Sequence, residues 1–218
     1  MVFLLILITL IIAVTVEIII SKSRKPVTNS AAVPVFNKSS LHAPEGFYFS
    51  RFHTWAHPEA DGVKVGIDSF ALKALGNIRV KSILPAGQKV KKGDSIIEAE
   101  VHGQKINFRS PVSVVIKSIN KNLCNGKLND AYGEDWGLTM EKEPNMIEKL
   151  FFGSEASHML KTELRKFKDF LNQASFTPQA VGVTMYDGGN FVEGVISSLD
   201  GDVIKNFENE FLSEKNNA

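Results

Sequence analysis

Residues 95–112 read SIIEAEVHGQKINFRSPV. SIIEAEV has the composition of a strand. His102-Gly103 makes a two-residue loop, with glycine supplying the positive φ that such loops need. QKINFRS returns as a second strand, so the stretch is a β-hairpin. Alternation places Ile106 and Phe108 on one face of the return strand and Lys105, Asn107 and Arg109 on the other, which is expected to be wet.

Outward from the hairpin the pattern of short strands and turns continues. Turns are expected at Lys92-Gly93-Asp94 and around Pro85-Ala86-Gly87, with the strand NIRVKSIL before them. Asp68 caps a short helix that runs to Leu75 and ends at Gly76. FYFSRFHTWAHP and GVKVGI are β-rich and are separated by Glu59-Ala60-Asp61-Gly62. On the other side, SVVIKSI follows Pro111, and GLTMEK follows Trp136. No long period repeats.

After Pro144 the period changes. Ser154 can cap a helix that places Ala156, Leu160, Leu164, Phe167 and Leu171 on one face. Its Lys161, Arg165, Lys166 and Lys168 read as a solvated surface rather than a lipid-binding one. Pro178 interrupts, AVGVTMY is an expected strand, and Asp187-Gly188-Gly189 is an expected turn. A last helix is expected from Asp202, with Val203, Phe207 and Phe211 at helical spacing.

The first twenty residues, MVFLLILITLIIAVTVEIII, have a different character. At ~1.5 Å per helical residue they span roughly 30 Å, a hydrocarbon thickness. Lys22, Arg24 and Lys25 follow at once and favour a cytoplasmic soluble part. No positive charge precedes the run and no small-residue cleavage site follows it, against a signal peptide. Residues 1–21 are therefore expected to be a membrane anchor. Glu17 lies within the span, where an acidic side chain either reaches the headgroups or faces a partner helix. Residues 22–45, rich in proline and small polar residues, read as a flexible linker. Asn37-Lys38-Ser39 matches a glycosylation triplet, in the wrong compartment for that topology.

The chain of 218 residues carries 25 basic and 24 acidic side chains, a net charge of +1. This balance gives no reason to expect nucleic acid as a partner. One cysteine, Cys124, excludes an intrachain disulfide and a cysteine-based metal site. His53 and His57 are four apart, but on a strand or turn this is not a ligand spacing.

Four stretches together resemble the H protein of the glycine cleavage system. Phe52-His53-Thr54-Trp55 is similar to its His-x-Trp opening. Val65-Gly66-Ile67 with Phe70-Ala71 and Ala74-Leu75-Gly76 matches its next segment. Pro85, Gly87, Val90 and Gly93 fit its turn region. Ser110-Pro111-Val112, Asn120 and Tyr132-Gly133-Glu134-Asp135-Trp136 complete the order. The resemblance implies a mostly β, α+β fold: a flattened lipoyl-type β-barrel over residues 46–143, with the anchor before it and a small α/β appendage over 144–218. It also implies a lipoylated lysine at the hairpin tip, six residues before the Ser-Pro pair. Here six residues, Gln104 to Arg109, separate Gly103 from Ser110, and Glu100 matches the family's glutamate three before the lysine. The register holds and the lysine is gone. His102 has no amine. The nearest amine, Lys105, stands two residues along the strand, roughly 7 Å from the tip at ~3.4 Å per residue.

Three functions follow as expectations. The leading one is a non-catalytic, membrane-anchored accessory or scaffold subunit that docks protein partners of a membrane or redox complex, without cofactor or metal; Glu17, His102 and Gly103 are its candidate contact residues. The alternative is a lipoyl carrier modified at Lys105 in a glycine-cleavage-like pathway. A transport adaptor is disfavoured, since no sustained heptads occur.

Overall fold

The computed structural model describes residues 35–174, 185–186 and 190–213. The expected anchor over 1–21, its Glu17, most of the expected linker, the Asp187-Gly188-Gly189 turn and most of the AVGVTMY strand lie outside the described residues. All described residues belong to one compact unit, Pro34–Ala218. Among them no helix is long and apolar enough to cross a membrane.

In chain order the strands are β1 (Val35–Phe36), β2 (Tyr48–Phe49), β3 (Thr54–Glu59) and β4 (Gly62–Ile67), followed by helix α1 (Ser69–Leu75). Then come β5 (Ile78–Ile83), β6 (Lys89–Val90), β7 (Ser95–Val101), β8 (Gln104–Arg109), β9 (Val114–Ile119), β10 (Lys127–Leu128), β11 (Leu138–Met140) and β12 (Phe151–Phe152). Helix α2 (Gly153–Ala174), β13 (Met185–Tyr186), β14 (Asn190–Val192) and helix α3 (Gly201–Phe211) complete the order.

Local sequence accounts for most of these elements. Asp68 caps α1 by accepting a hydrogen bond from the Ala71 N–H at 2.9 Å, and Gly76, at φ 71°, ends it. Ala156, Leu160, Leu164, Phe167 and Leu171 are all buried, so α2 presents the stripe that its spacing requires. In the hairpin, Ile97, Ala99 and Val101 of β7 and Ile106 and Phe108 of β8 point into the core, while Glu98, Glu100 and Lys105 point outward.

The ladders do not close into a barrel. Four strands pair in the order β10-β5-β7-β8 and seven in the order β12-β2-β3-β4-β11-β9-β6. Side chains of both sheets fill one continuous core, and Ile97 of β7 reaches across to Gly137 beside β11. Two open sheets joined by side chains thus take the place of the expected flattened barrel. Within them, the resemblance motifs serve the fold. The Trp55 indole N–H is shared between the carbonyls of Ala131 (2.7 Å) and Ile67 (3.1 Å). The Asn120 amide donates to the carbonyls of Glu134 (2.9 Å) and Trp136 (2.8 Å), fixing the loop before β11.

One expectation about the chain ends changes. Part of the expected linker is ordered: β1 pairs with β14 (Val35↔Val192, Phe36↔Phe191), and Phe36 is fully buried against Phe70, Phe167 and Phe191. Asn37 is also engaged, its Oδ1 accepting from the Ser39 and Ser40 N–H groups to cap a short 3-10 turn. The described tail packs onto the rest of the domain. Phe167, Phe170, Phe207 and Phe211 form an aromatic cluster that includes Phe70 of α1. A Cβ on Gly76 would come within 2.5 Å of the Gly194 Cα, so two glycine backbones meet where β14 leads into the last helix. The change at residue 144 is one of secondary-structure type, and the packing is continuous across it.

Candidate functional site

The β7–β8 hairpin ends as the alternation demands. Val101 pairs with Gln104 and Glu100 with Lys105, leaving His102 (φ 48°) and Gly103 (φ 78°) as the two loop residues. Two successive positive φ values define a type I′ turn, which matches the right-handed twist of the strands. Both residues are exposed, and a Cβ on Gly103 would meet nothing within 4 Å. Position 103 therefore has room for a side chain and carries none.

Lys105 begins the exposed row of β8. Its ammonium pairs with the Glu98 carboxylate across the hairpin, while Glu100 pairs with Lys81 of β5 at 2.9 Å. The Lys105 side chain remains 63% exposed, so the pair leaves the amine within reach of solvent.

Further from the tip the row is no longer wet. β8 is an edge strand, whose outer N–H and C=O groups need a partner or water. Helix α3 supplies one. The Glu208 carboxylate accepts from the Asn107 backbone N–H (2.9 Å) and from its side-chain amide (3.0 Å). Arg109 donates through Nε to the Leu212 carbonyl (3.1 Å) and through Nη1 to the Gly93 carbonyl (2.9 Å). At the N-terminal end of α3, a Cβ on Gly201 would come within 2.7 Å of the Gln104 amide, so the helix lies close along β8. The expected wet face is corrected here: Asn107 and Arg109 are half-buried and bonded to the last helix and to Leu212, which follows it.

The structure thus brings together His102, Gly103 and Lys105 at one end of the hairpin. Glu17 lies outside the described residues. His57 donates from Nδ1 to the Gly46 carbonyl at 2.9 Å and stacks on Phe47. Among the described residues no group of three His, Cys, Asp or Glu side chains is placed to hold a metal ion.

Two features were missed by sequence reasoning. One is Glu208, which in sequence is one of several charges on an amphipathic helix. The other is a buried pair in which the His53 Nδ1–H donates to Asp68 Oδ2 at 2.8 Å. Asp68 had a visible role as a helix cap; its second oxygen gave no sign of its partner.

A family model described as "Glycine cleavage H-protein" matches residues 47–163. The glycine cleavage system H protein of Anaeromyxobacter sp. (strain K) is 30% identical over 122 residues, which are 50% of this chain and 89% of that protein. The probable glycine cleavage system H protein of Pyrococcus abyssi is 31% identical over 131 residues, 58% of this chain and 90% of its own length. That of Pyrococcus horikoshii is 34% identical over 110 residues, covering 49% of this chain and 81% of itself. Among solved structures, the H protein from Mycobacterium marinum aligns with a TM-score of 0.44 at 27% identity, covering 53% of this chain and 97% of that one. The matched region ends within α2, so α3, which lies along β8, falls beyond it. With the family model spanning more than half of the 218 residues, the chain belongs to the glycine cleavage H-protein family.

Proposed function

We propose that this chain works in a glycine-cleavage-type setting, where it docks the hairpin end of its H-protein domain onto a partner protein without itself carrying a prosthetic arm at the tip. The setting is supported by the family and by relatives that are glycine cleavage system H proteins, which favour it over a general scaffold of a membrane or redox complex. The missing arm is supported by one observation: the tip position is Gly103, facing open space, next to His102, which has no amine. The contact made by α3 along β8 agrees with a hairpin used as a fixed surface. In this reading the apolar run of residues 1–21 tethers the domain to a bilayer.

The second reading is a lipoyl carrier modified at Lys105. It is favoured by the relatives' common designation and by the exposure of the Lys105 amine. Against it, the amine sits on a regular strand paired with Glu98, two residues from the apex, and carrier chemistry depends on position.

Intact-mass measurement on full-length protein from its native host separates the two. The first reading expects the mass of the unmodified sequence. A lipoyl increment mapped to Lys105 would establish the second. Capture of the protein's partners from the same host tests the setting itself: recovery of glycine-cleavage enzymes supports it, and their consistent absence from an otherwise productive capture removes it.

A further inference from the structure

His53 is fully buried just before β3 and holds a left-handed backbone conformation, φ 56°. Its ring stacks on Phe70 with centroids 4.2 Å apart, and Nδ1–H is bonded to the equally buried Asp68. The other ring nitrogen, Nε2, has no hydrogen-bond partner among the described residues. It lies 4.0 Å from Glu163 Oε2 on α2. Glu163 also binds Lys166 at 2.9 Å and lines a groove of about 800 Å³ together with Arg51 and His158.

This arrangement is unbalanced for a neutral ring. With the proton on Nδ1, Nε2 offers a bare lone pair toward a carboxylate, so two acceptors face one another in a buried place. One added proton removes the conflict: Nε2–H then points toward Glu163, and an imidazolium sits between two carboxylates. We propose that His53 is a titratable latch that, when protonated, fastens α2 to the β3–α1 end of the domain through Asp68 and Glu163.

The charged groups around it act as follows. Burial pushes the imidazole down most strongly. Asp68, by charge and hydrogen bond, and then Glu163 outweigh it, while Lys166 opposes them, and the net direction is upward from 6.5. On α3, Glu210 is held above the usual carboxylate range by partial burial; Lys166 lowers it and Glu163 raises it. The two protons are thus linked through the same α2 side chains. Phe211 of α3 also approaches the His53 ring, with centroids 6.5 Å apart. Release of α2 therefore weakens the packing of α3, the helix that bonds β8.

The sign follows from the direction of the shift. A histidine whose folded value is raised contributes stability in full below its ordinary value of 6.5, and this contribution is lost as pH rises through the folded value. The latch opens on alkalinisation.

The test uses the full-length chain. The His53 ring is followed by NMR from pH 5 to 9, with amide exchange of α2 and α3 corrected for its intrinsic pH dependence. His53 should titrate above 6.5, and protection in α2 and α3 should fall through the same pH. Glu163→Gln should lower both midpoints by about one unit, since it removes a nearby opposite charge. His53→Asn tolerates the left-handed backbone and does not titrate, so it should abolish the pH step in protection. A His53 midpoint below 6.5, or a protection step that Glu163→Gln leaves in place, overturns the proposal. If His53→Asn does not fold, the ring titration and Glu163→Gln still decide.

Discussion

The two ends of the β7–β8 hairpin differ in what holds them. At the tip, His102 and Gly103 touch little, and Gly103 faces open space. Further along β8, Asn107 and Arg109 are bonded to Glu208 and Leu212 from the end of the described chain. The H-protein resemblance places the reactive arm at position 103, and Gly103 has no side chain. The root is bonded by a helix outside the family match, and it is reinforced. In the proposed reading the hairpin is a surface held in place rather than a mount for a moving group.

The largest effect belongs to the reinforcing helix. Phe207 is fully buried and stacks on Phe211 with centroids 4.8 Å apart. Phe207→Ala should lower unfolding stability by about 3–5 kcal/mol in denaturant titration, as for aromatic truncations in a packed core. Exchange at the Asn107 amide should rise with it. A loss below about 1 kcal/mol would show that α3 is loosely attached and that the root is not reinforced. Glu208→Ala is the next step down. It leaves the Asn107 N–H without its carboxylate acceptor, for an expected loss of about 1–3 kcal/mol. Glu208→Gln keeps an acceptor oxygen and should lose less. Equal losses in the two variants would mean that the packing of residue 208 matters more than its bond to the edge strand.

How much of this was legible follows the range of the signal. The hairpin could be read because alternation and a loop glycine act within a few residues. The buried face of α2 could be read because Ala156, Leu160, Leu164, Phe167 and Leu171 repeat at helical spacing. Barrel closure was over-read: a resemblance conveys strand order better than it conveys which ladders close. Phe36 was hidden among small polar residues that read as a tether, and its partner Phe191 lies near the other end of the chain. The buried pair of His53 with Asp68, and the approach of Glu163, join three elements by side chains alone. No periodicity marks such contacts, since each residue has an adequate local explanation: a motif histidine, a helix cap and one charge on a helix surface.

At the tip the expected effects are smaller. Gly103→Val forces a β-branched residue to φ 78° and should cost on the order of 1–2 kcal/mol, measured against wild type by thermal or denaturant unfolding. No neighbour opposes the new side chain, so the loss is one of backbone strain alone. Gly103→Lys carries a similar strain of about 1 kcal/mol and restores an amine at the apex. Incubated with a lipoate ligase, this variant should gain a lipoyl mass increment that wild type does not. If it remains unmodified while folded, the tip has diverged in more than its one missing side chain.

The smallest stability effect is expected at Lys105, and it bears most directly on the carrier reading. Its ion pair with Glu98 is on the surface, with the lysine side chain 63% exposed. Such pairs contribute about 0–1 kcal/mol, because water screens the attraction and holding two long side chains in register costs entropy. Lys105→Ala should therefore leave the unfolding midpoint nearly unchanged and should leave α3 in place, since Asn107 and Arg109 keep their own bonds. A loss above about 1 kcal/mol would mean that the exposed row of β8 is held as firmly near the tip as at the root, and the contrast between the two ends would fail. The same variant has a second reading by mass. In a fixed docking surface, protein from the native host has one mass before the substitution and a mass lower only by the residue difference after it. In a carrier, wild type shows a lipoyl increment that disappears in Lys105→Ala while folding is untouched. Because the substitution perturbs so little else, disappearance of such an increment could be assigned to the amine itself, and the hairpin would then be a mount displaced by two residues along β8.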